Sequence, residues 1–348
     1  MSGKKQHFIP QSLLRGFGIK KGKKTFVSVF PYHGENFDTA TDGIGAKRYF
    51  YSTVVKDNPE PTLDDKITGY ETDLGLFIRY IRSLQFEEKV DASKAAELVT
   101  HLIVRNAHFR DSTADGVDRM YDEIFGIFQD RDRTRAALGL DGNEPSRVLM
   151  DAIKSGVEGY AETFRLLGMS NEDATALMFA QAKPLFEQNF AKLASSFSEM
   201  REKLNGDIGT IGADAQRRVL GQELAPKARV EQLSQFEWSI ERGPPEGLVL
   251  SDCVAVGITR AGVFPAALID IDDSMLMLLP ISSDHLLLGT RGDNSLLPID
   301  INSKMASCGW DFFIARNQCE KLDHLKPLLR TTTARLFDNA IDEVVSEY

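Results

Sequence analysis

The chain has 348 residues, 42% hydrophobic and 26% charged, which is globular composition with enough apolar mass for a sizeable core and a length suggesting two domains or one large composite one. A net charge of -10 excludes a protein that binds nucleic acid over its whole surface, but a local basic patch stays open at the amino end, where Lys4, Lys5, Arg15, Lys20, Lys21, Lys23, Lys24, Lys47 and Arg48 outnumber Glu35, Asp38 and Asp42. No apolar run reaches the roughly 18 residues of a membrane span, no signal-like core follows Met1, and Cys253, Cys308 and Cys319 lack metal-ligand spacing, so a soluble, cytoplasmic protein with free thiols and no membrane partner is expected.

The opening stretch, Gln6 to Phe17, joins His7 and Arg15 to the rigid Pro10 and the apolar set Phe8, Ile9, Leu13, Leu14 and Phe17. Lys20 to Lys24 reads as a solvated loop tip. Thr25 to Phe30 alternates and predicts a strand ending at Pro31, and Arg48 to Ser52 a second, short one. Thr62 is a candidate N-cap for a helix over 63–84, whose apolar stripe runs Leu63, Ile67, Tyr70, Leu74, Phe77, Ile78 and Ile81. Glu71 falls on or beside that stripe, an expensive place for an unpaired charge. A helix from Ser93 carries Leu98, Leu102, Arg105 and Phe109 on its stripe, so Arg105 is expected at least half buried and paired with Glu71.

Helical patterns continue over 117–138, 146–167 and 171–204, where Pro184 is expected to kink or break the last, and a loop is expected from Gly206 to Gly212. After Pro226 the pattern turns to strands: 236–240, 248–251, 267–271, 275–279 and 286–289, with a helix from Ile301 to about Gly309, a strand over 310–315 and an amphipathic end over 338–347. The division expected is a β-rich segment 1–62, a helical region 63–230 and an α+β region 231–348. The fold class is α+β, with a mixed sheet assembled from the N- and C-terminal segments against a mainly helical middle.

The order of these pieces resembles a widespread uncharacterised family catalogued as domain of unknown function 4238. The resemblance lies in His7-Phe8-Ile9-Pro10 with Leu14 and Phe17, Tyr49-Phe50-Tyr51, Glu71 in a helix, Ser251-Asp252 with Val254, Leu279-Pro280-Ile281-Ser282, and Asn302 opening a late helix. Members usually have Pro where this chain has Cys253, and tend to be aromatic where it has Ser12-Leu13. The region from about 112 to 230 contributes no motif to the resemblance. The resemblance implies an arrangement of parts and carries no established activity.

Each candidate residue has a chemical and a structural reading. His7 can exchange protons near neutral pH, or tie its segment to the helices. Glu71 can orient or deprotonate while Arg105 grips a phosphate, or the two can form a register-fixing ion pair. Asp252, after a strand, can bind a divalent cation or orient His7, or close an Asx turn. Asp270, Asp272 and Asp273 flank a turn rather than forming a metal cluster, and Asn302 reads as an N-cap. No Walker loop, dinucleotide fingerprint, zinc spacing or nucleophile elbow is present. The leading expectation is an enzyme that cuts a phosphodiester bond in RNA or DNA, in a toxin or phage-defence role, with His7, Glu71 and Asp252 handling protons or a metal and Arg105, Arg15 and His108 binding substrate. The rival is a non-enzymatic interaction or regulatory module that docks a partner protein and uses the same polar residues as staples.

Overall fold

In the computed structural model the structure describes residues 5–51, 62–142, 145–292 and 300–346. In chain order the opening elements are β1 (Lys5–His7), α1 (Gln11–Leu14), β2 (Ile19–Lys21), β3 (Lys24–Pro31), β4 (Phe37–Ala40) and β5 (Ala46–Arg48). The helices that follow are α2 (Leu63–Ile81), α3 (Ala92–Arg105), α4 (Ala107–Gln129), α5 (Arg131–Ala137), α6 (Arg147–Gly159), α7 (Ala161–Leu166), α8 (Asn171–Gln222) and α9 (Lys227–Leu233), with the short β6 (Lys89–Val90) ahead of α3. The last part holds β7 (Glu237–Arg242), β8 (Leu250–Ser251), β9 (Val256–Thr259), β10 (Gly262–Pro265), β11 (Ser274–Pro280), β12 (His285–Thr290), α10 (Ile301–Cys308), β13 (Phe312–Ala315), α11 (Glu320–Asp323) and α12 (Thr331–Ser346).

These elements form two compact units, one of Met1–Ala114 with Ile211–Phe337, the other of Asp115–Thr210 with Asp338–Tyr348. In the first, strands from both ends of the chain share a sheet, as the α+β reading requires. Its order is β2-β3-β13-β8, with β4 also on β3, and the Phe30 and Phe313 rings stack 4.6 Å apart across the β3/β13 pair. Lys20 to Lys24 is the tip of the β2/β3 hairpin, turned at Gly22, whose φ of 64° suits glycine. A second sheet, of order β10-β9-β11-β12-β7-β6, is additional to it. Its central strands β11 and β12 are buried nearly end to end, which is why they read as unbroken apolar runs.

Helix starts follow the capping rules. Thr62 accepts from Asp65 N at 3.2 Å in a capping box at the head of α2, and Asp91 accepts from Lys94 N at 2.8 Å at the head of α3. The predicted α3 stripe stops short of Phe109, because Asn106 is extended and its Oδ1 accepts from Phe109 N, starting α4 instead. In the second unit, Phe128 and Phe197 stack at 4.2 Å, and Arg201 pairs with Asp118 and Asp122.

Several expectations are corrected. α8 runs unbroken through Pro184 and through Gly206 to Gly212, so neither a break nor a loop occurs there; one lost hydrogen bond is small beside the rest of a 52-residue helix. The strand at 48–52 ends at Arg48, since Tyr49 has a φ of 53°. Residues 266–268 form a 3-10 turn rather than a strand, and the β9/β10 hairpin precedes it. Asn302 does not cap α10; Asp300 does, accepting from Ser303 N. Asn302 is buried and holds the backbone before β8, accepting from Val249 N at 3.0 Å and donating to Gly247 O at 2.8 Å.

Gly289 faces Trp238 across β12/β7, and a Cβ there would lie 2.9 Å from the indole. Gly289→Val is therefore expected to cost about 1–3 kcal/mol by overpacking, read as a lower midpoint in urea with an unchanged slope.

Candidate functional site

The opening segment is placed by backbone pairing. β1 lies antiparallel on β5 with His7 opposite Ala46, and the Phe8 and Ile9 amides both donate to Gly45 O. Pro10 then starts α1. This buries Ile9, Leu13, Leu14 and Phe17 and leaves His7, Gln11 and Arg15, four apart, as a polar row. Arg15 is exposed and donates to Gln11 Oε1 at 2.8 Å, and Gln11 Nε2 lies 3.4 Å from His7 Nε2. The other side of the imidazole bonds to the backbone at Thr41. Burial first, then the charges of Lys5 and Arg105, hold His7 below the ordinary imidazole range, so its ring is neutral at pH 7.

Glu71 and Arg105 do meet. The Arg105 guanidinium is 1% exposed and its Nη1 pairs with the Glu71 carboxylate, which keeps partial contact with solvent. The rest of the fork is also occupied. Nη1 lies 3.3 Å from His101 Nε2, Nη2 donates to the His7 carbonyl, and Nε donates to the Tyr51 hydroxyl at 3.3 Å. Tyr51 in turn donates to Arg105 O at 2.8 Å, and its own amide donates to Gln6 Oε1 at 2.7 Å. His101 Nδ1 faces Leu224 O at 2.8 Å, so that nitrogen carries the proton and Nε2 accepts from Arg105. Burial lowers the His101 pKa to about 4, which keeps it neutral. His7 thus contributes its carbonyl to this cluster, not its ring.

Asp252 and His108 are satisfied elsewhere. The Asp252 side chain is buried and accepts from the amides of Trp310 and Asp311, each at 2.7 Å, fixing the approach to β13. Burial pushes its carboxyl up to about 7 against the pull of those two donors. His108 is 1% exposed, donates through Nε2 to Cys308 O at 2.8 Å, and is lowered to about 4 by burial. Asp270 accepts from Asp272 N in an Asx turn, and among the described residues no group of three acidic, histidine or cysteine side chains is placed to hold a metal ion.

The family model described as protein of unknown function (DUF4238) matches residues 5–303. The chain belongs to this family. The matched span runs from β1 through the Glu71–Arg105 pair and Asp252 to the start of α10. Searches of curated proteins and of solved structures return no match.

Sequence reasoning missed Arg82, whose half-buried guanidinium has no acid partner among the described residues and donates instead to the carbonyls of Ser12, Leu13 and Ile281, at 2.8, 2.9 and 2.7 Å. Burial lowers its pKa to about 10. The clue was present: like Glu71, it continues the buried stripe of α2, four residues after Ile78.

The depressed His108 sets a pH dependence. Its folded pKa of about 4 lies below the unfolded 6.5, so its contribution is complete above pH 6.5 and is lost as pH falls towards 4. Asp252, raised, works in the opposite sense, so comparison with a variant isolates the histidine. Urea titrations from pH 7 to 4 should show the native chain losing about 3 kcal/mol more than His108→Gln over that range.

Proposed function

We propose that this chain acts by binding a partner protein and not by cutting a bond. The observation that carries the reading is the state of Arg105: buried to 1% exposure, with Glu71, His101, the His7 carbonyl and Tyr51 filling its fork. A phosphate binder needs free N–H groups directed at an opening, and Arg105 has spent nearly all of its own on the protein. Asp252 is likewise closed by two backbone amides. These groups serve as staples that hold the first unit in shape.

The binding surface in this reading is on α6 to α8 of the second unit. Leu166 is 83% exposed, Tyr160 and Leu167 68%, and Val148 53%, large apolar side chains left in water within one short stretch of chain. No helix among the described residues is long and apolar enough to cross a membrane, and in this reading a protein partner covers these side chains. A cytoplasmic setting belongs to the same reading, supported by free Cys253, Cys308 and Cys319.

One observation favours the phosphodiester-cleaving alternative: the neutral, half-buried ring of His7 connects through Gln11 to the exposed Arg15, beside Lys5, Lys47 and Arg48. There His7 is the general base and Arg15 the phosphate contact.

Two measurements separate the readings. RNA and single-stranded DNA incubated with the chain, with and without Mg²⁺ or Mn²⁺, should stay equally intact with native protein and His7→Gln. Crosslinking in cells should enrich a protein with the native chain and lose it with the Leu166→Asp/Leu167→Asp variant. Cleavage that disappears in His7→Gln at unchanged Tm would overturn the binding reading.

A further inference from the structure

A groove of about 450 Å³ lies between α2 and the first turns of α3 in the first unit. On α2 its wall is made by Tyr70, Asp73, Phe77 and Tyr80, at i, i+3, i+7 and i+10, which places them on one face. From α3 come Glu97 and, at the rim, Lys94. The groove borders the Arg105 cluster through the Tyr70 ring, 4.8 Å from that of His101, and neither reading of function uses it.

Lys94 at the rim apart, the polar lining is one-sided. Tyr70 donates its hydroxyl to Glu97 Oε1, an arrangement that leaves the phenol oxygen's lone pairs and the second carboxylate oxygen for another donor. Among the described residues Asp73 has no ion-pair partner, and Lys94, although close, pairs with neither acid. Three aromatic rings with electron-rich faces and two carboxylates repel an anion and stabilise a cation. A purely apolar cleft would not make this distinction. The phenol and carboxylate oxygens further call for N–H donors, which a primary ammonium has and a quaternary one lacks.

We propose that the α2–α3 groove binds a small organic cation of the aliphatic primary-ammonium class, its head held by Glu97 and the Tyr70 oxygen and its chain lying along Phe77 and Tyr80. Lys94, exposed at the rim, is a tethered competitor for the same seat.

The test is a titration of the full chain with cadaverine at low salt, followed by calorimetry or by NMR of the tyrosines, with choline and acetate as comparisons. Cadaverine should bind saturably, choline more weakly, and acetate not at all. Glu97→Gln keeps an oxygen for the Tyr70 hydroxyl, so the fold is preserved, and should weaken binding about tenfold or more through loss of a charge-assisted contact. Tyr80→Ala should weaken it about three- to fivefold, and Lys94→Ala should tighten it. Circular dichroism and Tm confirm that the variants are folded. No saturable binding by the native chain, choline binding as tightly as cadaverine, or equal binding by native, Glu97→Gln and Tyr80→Ala proteins would each overturn the proposal.

Discussion

A guanidinium cannot be taken out of water unless its donors find acceptors, and Arg105 meets that condition by collecting them from four parts of the chain. Glu71 comes from α2, His101 from one turn earlier on α3, the His7 carbonyl from β1, and the Tyr51 hydroxyl from the segment after β5. Apart from His101, these acceptors lie far from Arg105 along the chain. Once formed, each restrains a different element, so the entry of the chain, the α2–α3 pair and the Phe50-Tyr51 corner are positioned by one cation. Removing one member of such a buried pair typically costs about 3 to 5 kcal/mol, because the remaining charge stays buried and uncompensated. The arrangement therefore specifies geometry more than it adds net stability.

The same economy recurs where ladder hydrogen bonds run out. Arg82 closes three carbonyls between α1 and the end of β11, Asp252 takes two amides ahead of β13, and Asn302 takes one amide and one carbonyl ahead of β8. Each is a polar side chain that completes backbone left unpaired between two elements, where a buried orphan would otherwise cost about 1–3 kcal/mol. Polar residues that stand out in the sequence thus cluster at joints of the fold. Being satisfied there leaves them few free donors or acceptors for a substrate, which is the packing ground of the proposed binding function.

The sequence exposes some of this and hides the rest for definable reasons. Glu71 and Arg105 announce themselves because a charge on an apolar helical stripe has to be paired, and the cap at Thr62 follows from side-chain chemistry within a few residues. Strands built from both ends of the chain were legible because β3 and β13 are short apolar runs bounded by turn residues. Contacts to backbone carbonyls leave no such mark, since every residue offers a carbonyl; Arg82 and Asn302 could have found partners anywhere. The break at Asn106 and the continuity through Pro184 depend on tertiary packing that outweighs local propensity. The β9/β10 hairpin escaped because its two-residue turn, Arg260-Ala261, lacks the usual turn residues on its first positions.

The buried network also reaches the α2–α3 groove. The Tyr70 ring lies 4.8 Å from the His101 ring, and His101 accepts from Arg105 only while its imidazole is neutral. Protonating it would set two cations 3.3 Å apart in a medium that screens them poorly. The Tyr70 ring, whose hydroxyl points to Glu97, therefore packs against an imidazole whose protonation state and position are fixed by burial and by the Leu224 carbonyl. A wall so supported changes little when a ligand arrives, and preorganisation of that kind lowers the ordering cost of binding. The satisfied polar cluster around Arg105 would in this way support the proposed recognition, by keeping an adjacent surface in one shape.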